Sequence, residues 1–288
     1  MWTEIAAQIT KTTGAPFEIC DRHSVGGGCI NQGARLSDGT RRFFVKTNRA
    51  DQVEMFAAEA LGLQQMRQTH AILVPEPICW GTAAGAAYLV LEWLELGRGS
   101  SKAWTELGRQ LAKMHQFQQS TAFGWERDNT IGSTPQLNAW TASWSTFFTQ
   151  QRIGYQLQLA QRRGGSFAKA TQLLDHISHL LRDHKPQPAI VHGDLWSGNA
   201  AVTTAGVPVI FDPAVYWGDR EVDLAMTELF GGFPSEFYRG YQATFPLDAG
   251  YEQRKTLYNL YHILNHFNLF GGSYGAQANR MIDQILRN

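Results

Sequence analysis

The run His192-Gly193-Asp194-Leu195-Trp196-Ser197-Gly198-Asn199, followed by Ile210-Phe211-Asp212-Pro213, constrains this chain more than any other feature. It sets two carboxylates and a carboxamide between short apolar strands within residues 189–212. Asp194, at the start of the loop, is placed to accept a proton from a hydroxyl or to orient that hydroxyl. Asn199 offers an uncharged oxygen to a metal, and Asp212, ending the strand Val207–Phe211, offers a charged one. Mg²⁺ takes few protein oxygens alongside phosphates and water, so one carboxylate with one carboxamide suits it. The competing reading, an Asx-rich turn between two strands, leaves the spacing of three polar groups to coincidence. His192 reads as a brace for the loop through its ring nitrogens. Asp223 either caps the helix that it opens or accepts hydrogen bonds from the loop backbone.

Upstream lies complementary chemistry. Gly26, Gly27 and Gly28 sit between two strand-like segments, where backbone N–H groups can approach phosphate oxygens. A glycine run alone is a weak signal, since plain turns use it too. Lys46 strengthens it by ending the strand Phe43-Phe44-Val45-Lys46. In the helical segment 51–68, Glu59 lies on the apolar stripe of Met55, Phe56 and Leu63, where a carboxylate is costly unless paired. Lys46 is the available cation. Glu54, about 140° around the helix, is the poorer partner.

The rest of the chain divides in two. Residues 2–13 read as a short helix, and strands are expected at 17–20, 30–36, 42–46, 78–82 and 87–92, with the helix 51–68 after the third. Beyond Gly97-Arg98-Gly99-Ser100, helical patterns occupy about 102–119, 138–163, 166–184, 222–230, 234–243, 251–270 and 276–287. The expected fold class is α+β: an N-terminal nucleotide-binding lobe, 1–96, with a five-stranded antiparallel sheet, and a mainly helical catalytic lobe, 97–288. Zero formal net charge gives no reason to expect nucleic acid as partner. No secretory signal or membrane-length apolar run is visible, and the three cysteines, Cys20, Cys29 and Cys79, cannot form a fully paired framework. A reduced, cytoplasmic protein is expected.

At this level of detail the chain resembles a known family. HGDLWSGN at 192–199, FDPAVYWGDREVDLAM at 211–226, GGGCIN at 26–31, FGWERDNTIGSTPQ at 123–136 and LYNLYHILNHFNLFGGSYG at 257–275 are similar to the fructosamine kinase (ketosamine-3-kinase) family. That family is an aminoglycoside phosphotransferase-like branch of the bilobal protein-kinase fold. The resemblance runs nearly end to end and implies ATP-dependent, Mg²⁺-assisted phosphorylation of a ketosamine 3-hydroxyl. The product then eliminates phosphate and frees the amine, so the net result is deglycation. It implies Asp194 as catalytic base, Asn199 and Asp212 as metal ligands, Lys46 with Glu59 as the phosphate-positioning pair, and a hinge at Leu91-Glu92-Trp93-Leu94 that holds adenine through backbone groups.

For a free or protein-bound ketosamine, Trp196 can pack on a sugar face, while Asp219 or Glu221 could meet the secondary ammonium. The alternatives are a core tryptophan and an ordinary charged turn. Asn129, Gln136, His266 and Asn268 fall in the family-like blocks without an evident role, and His266 reads as structural. Cys29, on the expected phosphate loop, is either a redox-sensitive thiol or a small half-buried residue. A monomer or homodimer fits equally well. The rival functions are another small-molecule kinase acting on aminoglycosides, choline or homoserine, and a pseudokinase that binds nucleotide without turnover. The presence of base, metal ligands and lysine argues against the last.

Overall fold

The computed structural model describes residues 1–26 and 30–287. Its N-terminal part comprises α1 (Trp2–Thr13), β1 (Asp21–Val25), β2 (Gln32–Ser37), β3 (Arg42–Arg49), α2 (Val53–Gln68), β4 (Pro77–Ala83) and β5 (Ala86–Glu92). The five strands make one antiparallel sheet, as expected, and the structure gives its order as β1-β2-β3-β5-β4. Its two faces are covered by different helices, and strand alternation decides what each receives. Phe43, Val45, Tyr88 and Val90 pack with Ile5 and Ile9 of α1. Leu89 and Leu91 pack with Phe56 and Leu63 of α2. Because Lys46 follows Val45, it emerges on the α2 face.

The first strand lies later than its apolar signal. Phe17 does not join a ladder as part of a 17–20 strand; its buried ring meets Phe43 edge-on at 5.0 Å. The pairing runs instead from Asp21↔Ser37 to Val25↔Gly33. Asp21-Arg22-His23-Ser24-Val25 forms a largely solvated edge strand, so no apolar alternation announces it.

The C-terminal part follows β6 (Leu96–Gly97), a two-residue strand that pairs with β10, so the connector itself joins a sheet. Next come α3 (Ser101–His115), the hairpin β7 (Asn129–Ile131) and β8 (Thr134–Gln136), α4 (Trp144–Phe147), a π-helical segment Phe148–Gly154, α5 (Tyr155–Arg162) and α6 (Ala170–Leu180). Then β9 (Ala189–Val191), β10 (Ala200–Thr203), β11 (Pro208–Ile210) and β12 (Tyr216–Gly218) surround the polar motif. Four helices close the chain: α7 (Glu221–Leu229), α8 (Ser235–Thr244), α9 (Tyr251–Phe270) and α10 (Tyr274–Ile285). The expected helix 138–163 begins only at Trp144, where Ser143 caps it by accepting the Thr146 N–H. Asn138 is drawn off into a buried hydrogen-bond network instead. Among the described residues, no helix is long and apolar enough to cross a membrane.

Candidate active site

Three short strands deliver the polar motif. The apolar strand β9 is fully buried and leads into His192, while β10 and β11 pair as a hairpin that brings Asn199 and Asp212 together at one end. Gly193 bridges β9 to Asp194 at φ +79°, and a Cβ there would stand 2.2 Å from the Ala214 carbonyl oxygen. Only glycine satisfies both conditions.

The loop is held by backbone recognition. Asp223 accepts the N–H groups of His192 and Gly193 at 2.7 and 2.8 Å, which decides between its two readings: it anchors the loop. Burial alone would raise its carboxyl, but the His115 side chain and these N–H groups hold it below the ordinary value. His192 donates through Nε2 to the Phe211 carbonyl (2.9 Å) and accepts the Asp194 N–H at Nδ1 (3.3 Å). That tautomer is neutral, in keeping with burial, which lowers its pKa. The imidazole therefore braces the loop and ties it to the strand before Asp212.

Asp194 is half-buried, and its carboxyl is pushed up to about 7 by burial first and then by the negative charges of Asp212 and Asp223. Asn199 donates through Nδ2 to the Asp194 carbonyl at 2.9 Å and reaches the Asp212 carbonyl at 3.5 Å. Its Oδ1 accepts nothing from these neighbours. Asp212 is exposed and holds φ +58°, a left-handed conformation that costs a non-glycine residue roughly 1–2 kcal/mol.

Lys46 completes the group. Its ammonium is 2.6 Å from Glu59 Oε1 and also contacts Asp212 Oδ1. Burial opposes the charge, yet Asp212 and Glu59 outweigh it and raise the lysine pKa. Glu54 pairs elsewhere, with Arg127. Asp194, Asn199, Asp212, Lys46 and Glu59 thus form one hydrogen-bonded group between α2 and the loop. Two hard oxygens, Asn199 Oδ1 and the Asp212 carboxylate atom not bonded to Lys46, suit a divalent cation such as Mg²⁺.

The other expected residues fare unevenly. Glu92, Trp93 and Leu94 lie at the end of β5, half-buried. The Glu92 N–H is already donated to the Glu76 carbonyl at 2.8 Å. Gly26 is exposed at the end of β1; Gly27, Gly28 and Cys29 lie outside the described residues. Trp196 is 39 % exposed with its ring edge-on to Phe230 at 6.5 Å, so it is not core.

Asp219 and Glu221 require correction. Both are 1 % exposed, with their oxygens already engaged. Asp219 accepts from His184 and from the Tyr258 hydroxyl, each at 2.6 Å, and Glu221 makes two 2.7 Å bonds to Arg254. They hold the start of α7 in place rather than meeting a ligand ammonium. The sequence showed a charged turn; it could not show that α9 brings a tyrosine and an arginine onto it.

Sequence reasoning missed His115. Its Nε2 lies 3.1 Å from Asp223 and its Nδ1 lies 2.9 Å from the Tyr241 hydroxyl, so it supports the anchor of the loop. The available signal was a polar residue on the buried stripe of Leu107, Leu111 and Met114. His266 is structural as expected: it bonds the His262 carbonyl at 2.8 Å and packs among Phe230, Phe270 and Tyr274.

Comparison with known proteins identifies the family and the fold. The fructosamine kinase family model matches residues 1–288. A probable ketoamine kinase of Synechocystis sp. is 59% identical over 286 residues, covering 99% of this chain and 97% of its own. A chloroplastic protein-ribulosamine 3-kinase of Arabidopsis thaliana is 44% identical over 281 residues, covering 96% and 86%. The crystal structure of a candidate fructosamine-3-kinase from Haemophilus somnus matches with a TM-score of 0.94 at 33% identity, over 99% of this chain and 98% of that one. An aminoglycoside phosphotransferase matches at TM-score 0.64 with 16% identity over 98% of each chain, a likeness of fold alone. The bilobal kinase-like architecture expected from the motifs is therefore borne out, and the chain belongs to the fructosamine kinase family.

Proposed function

We propose that this chain transfers the γ-phosphoryl group of ATP to the 3-hydroxyl of a ketosamine, free or protein-bound. The observation that carries the proposal is the convergence of Asp194, Asn199, Asp212 and the Glu59-oriented Lys46 in one connected group. Relatives named ketoamine kinase and protein-ribulosamine 3-kinase support the substrate class.

Lys46 binds the α and β phosphates, and the Trp93–Leu94 backbone takes adenine. Asn199 and Asp212 would hold Mg²⁺, which when bound would neutralise charge on the phosphates. Asp194 accepts the hydroxyl proton as the substrate oxygen bonds to the γ-phosphorus and ADP departs; its raised pKa suits a base working near neutrality. Trp196 offers an exposed aromatic face to the sugar. The resulting 3-phosphate eliminates inorganic phosphate, and hydrolysis of the residue returns the amine and a 3-deoxyosone.

The test is incubation with ATP, Mg²⁺ and erythrulosamine, ribulosamine and fructosamine, in parallel with an aminoglycoside and choline, following product phosphorus by NMR. Phosphorylation of ketosamines at the 3-position is expected. Turnover of the aminoglycoside or choline in preference, or of none of the panel, would overturn the assignment.

A further inference from the structure

The backbone immediately after Asp212 lies where three parts of the site meet. The Ala214 N–H donates to the His192 carbonyl at 2.8 Å, joining the segment to the Asp194 loop. On the other side, a Cβ on Gly62 of α2 would stand 2.9 Å from Val215 Cγ2, so Val215 presses on the helix that carries Glu59. Residues 213–215 precede β12 and have no strand partner of their own.

Their carbonyls are held by side chains instead. Asn129 Nδ2 donates to the Val215 carbonyl at 2.8 Å, and Gln136 Nε2 donates to the Ala214 carbonyl at 3.0 Å. Both residues belong to the hairpin β7–β8. Gln136 also donates to Asn129 Oδ1 at 2.9 Å and accepts from the Tyr261 hydroxyl at 2.6 Å, so both its N–H donors and its oxygen are engaged. Asn138 donates to Asn129 Oδ1 at 2.9 Å, and Arg152 Nη2 donates to Asn138 Oδ1 at 2.7 Å. Arg152 is 0 % exposed, and its guanidinium lies 4.0 Å from the Tyr216 ring centroid. Among the described residues no carboxylate pairs with it. Burying a cation on carbonyl, amide and ring partners alone is costly, more than filling space requires.

We propose that Asn129 and Gln136 are positioning residues: their two carboxamide-to-carbonyl bonds fix the 213–215 backbone and thereby hold Asp212 in its left-handed conformation, facing Lys46 and Asn199. Arg152 anchors the far end of this clamp, and Tyr261 sets the rotamer of Gln136. The inference deepens the proposed function, because it rests on Asp212 as the metal ligand. It also gives a role to two residues of the FGWERDNTIGSTPQ block.

The test compares Gln136→Met and Asn129→Leu, which keep size and lose the donors, with Ser133→Ala in the exposed hairpin turn as control. Amide hydrogen exchange on nucleotide-free protein should quicken at least tenfold at residues 214–216 in both variants, with α9 keeping its protection. Calorimetric titration with ADP should give metal-free affinity within twofold of the parent chain, while the gain in affinity on adding Mg²⁺ falls at least tenfold. With ATP and a ribulosamine, kcat should fall 10- to 100-fold and the ketosamine KM should stay within threefold. Tyr261→Phe, which removes only the support of Gln136, should move all three in the same direction by two- to fivefold, and it decides the matter should the other variants not fold. Unchanged exchange and unchanged Mg²⁺ enhancement overturn the proposal, as does protection lost evenly throughout the C-terminal lobe. A parent chain inactive on ketosamines defeats the proposed function alone, since the exchange and ADP measurements still judge the clamp.

Discussion

Replacing Lys46 with methionine tests the electrostatic centre of the site. Glu59, 11 % exposed, would then keep a carboxylate in a buried position without its ammonium. Two routes give the same magnitude. Breaking one side of a buried pair costs about 3–5 kcal/mol. Alternatively, Glu59 escapes by taking a proton: at pH 7 that is about 2.7 units above an ordinary glutamate, or about 3.7 kcal/mol at roughly 1.36 kcal/mol per unit. Loss of the Asp212 contact costs less, because the exposed Asp212 carboxylate can be hydrated when the ammonium is removed. Lys46→Met should therefore lose about 3–4 kcal/mol at pH 7, lowering the melting temperature by about 7 °C at roughly 2 °C per kcal/mol. The sign with pH follows. In the variant the folded-state pKa of Glu59 lies above its unfolded value, so the folded state binds the extra proton. The deficit should shrink by about 1.4 kcal/mol per unit as pH falls from 7 towards 5. Urea unfolding at pH 5.5 and 7.5 measures this. The double variant Lys46→Met/Glu59→Leu should regain most of the stability, yet transfer no phosphoryl group. Equal deficits at both pH values, or a double variant no more stable than the single one, would refute the claim that Glu59 is held by Lys46.

Other consequences are open to direct measurement. Asp194→Asn should bind ADP normally while turnover falls by about 10²–10⁴, the range for a positioned general base; retained turnover would show that Asp194 is not the base. Gly193→Ala places a methyl 2.2 Å from the Ala214 oxygen at φ +79°, and should lower kcat more than substrate KM because the loop must shift to admit it; steady-state kinetics read the split. Burial opposes protonation of His184, but Asp219 and Glu221 outweigh it, so its pKa is raised above the ordinary value of about 6.5. The stabilisation it brings to the start of α7 is present in full below about pH 6.5 and is lost as pH rises through the raised value. NMR titration of its ring and unfolding from pH 5.5 to 8.5 should show this, and a ring titrating below the ordinary value would contradict it.

The chain itself announced the pieces whose chemistry is local. Asp194, Asn199 and Asp212 could be named because short apolar strands leave few ways to place the polar residues that follow them. Lys46 and Glu59 could be paired because a carboxylate on a helix's apolar stripe demands a cation. The same reasoning failed for Asp219 and Glu221, since burial is a property of what packs on top, and their covering partners Tyr258 and Arg254 lie 39 and 33 residues later, on α9. It failed too for β1, a polar edge strand recognised only by its partner β2. The roles of Asn129, Gln136 and Arg152 were equally out of reach: a carboxamide has no periodicity, and its meaning depends on which carbonyl it finds. Sequence determined which polar groups are candidates for the chemistry and most of the secondary structures that carry them. Tertiary structure alone decided which charged residues are buried and paired, and how the backbone beyond Asp212 is held, because those depend on contacts between segments far apart in the chain.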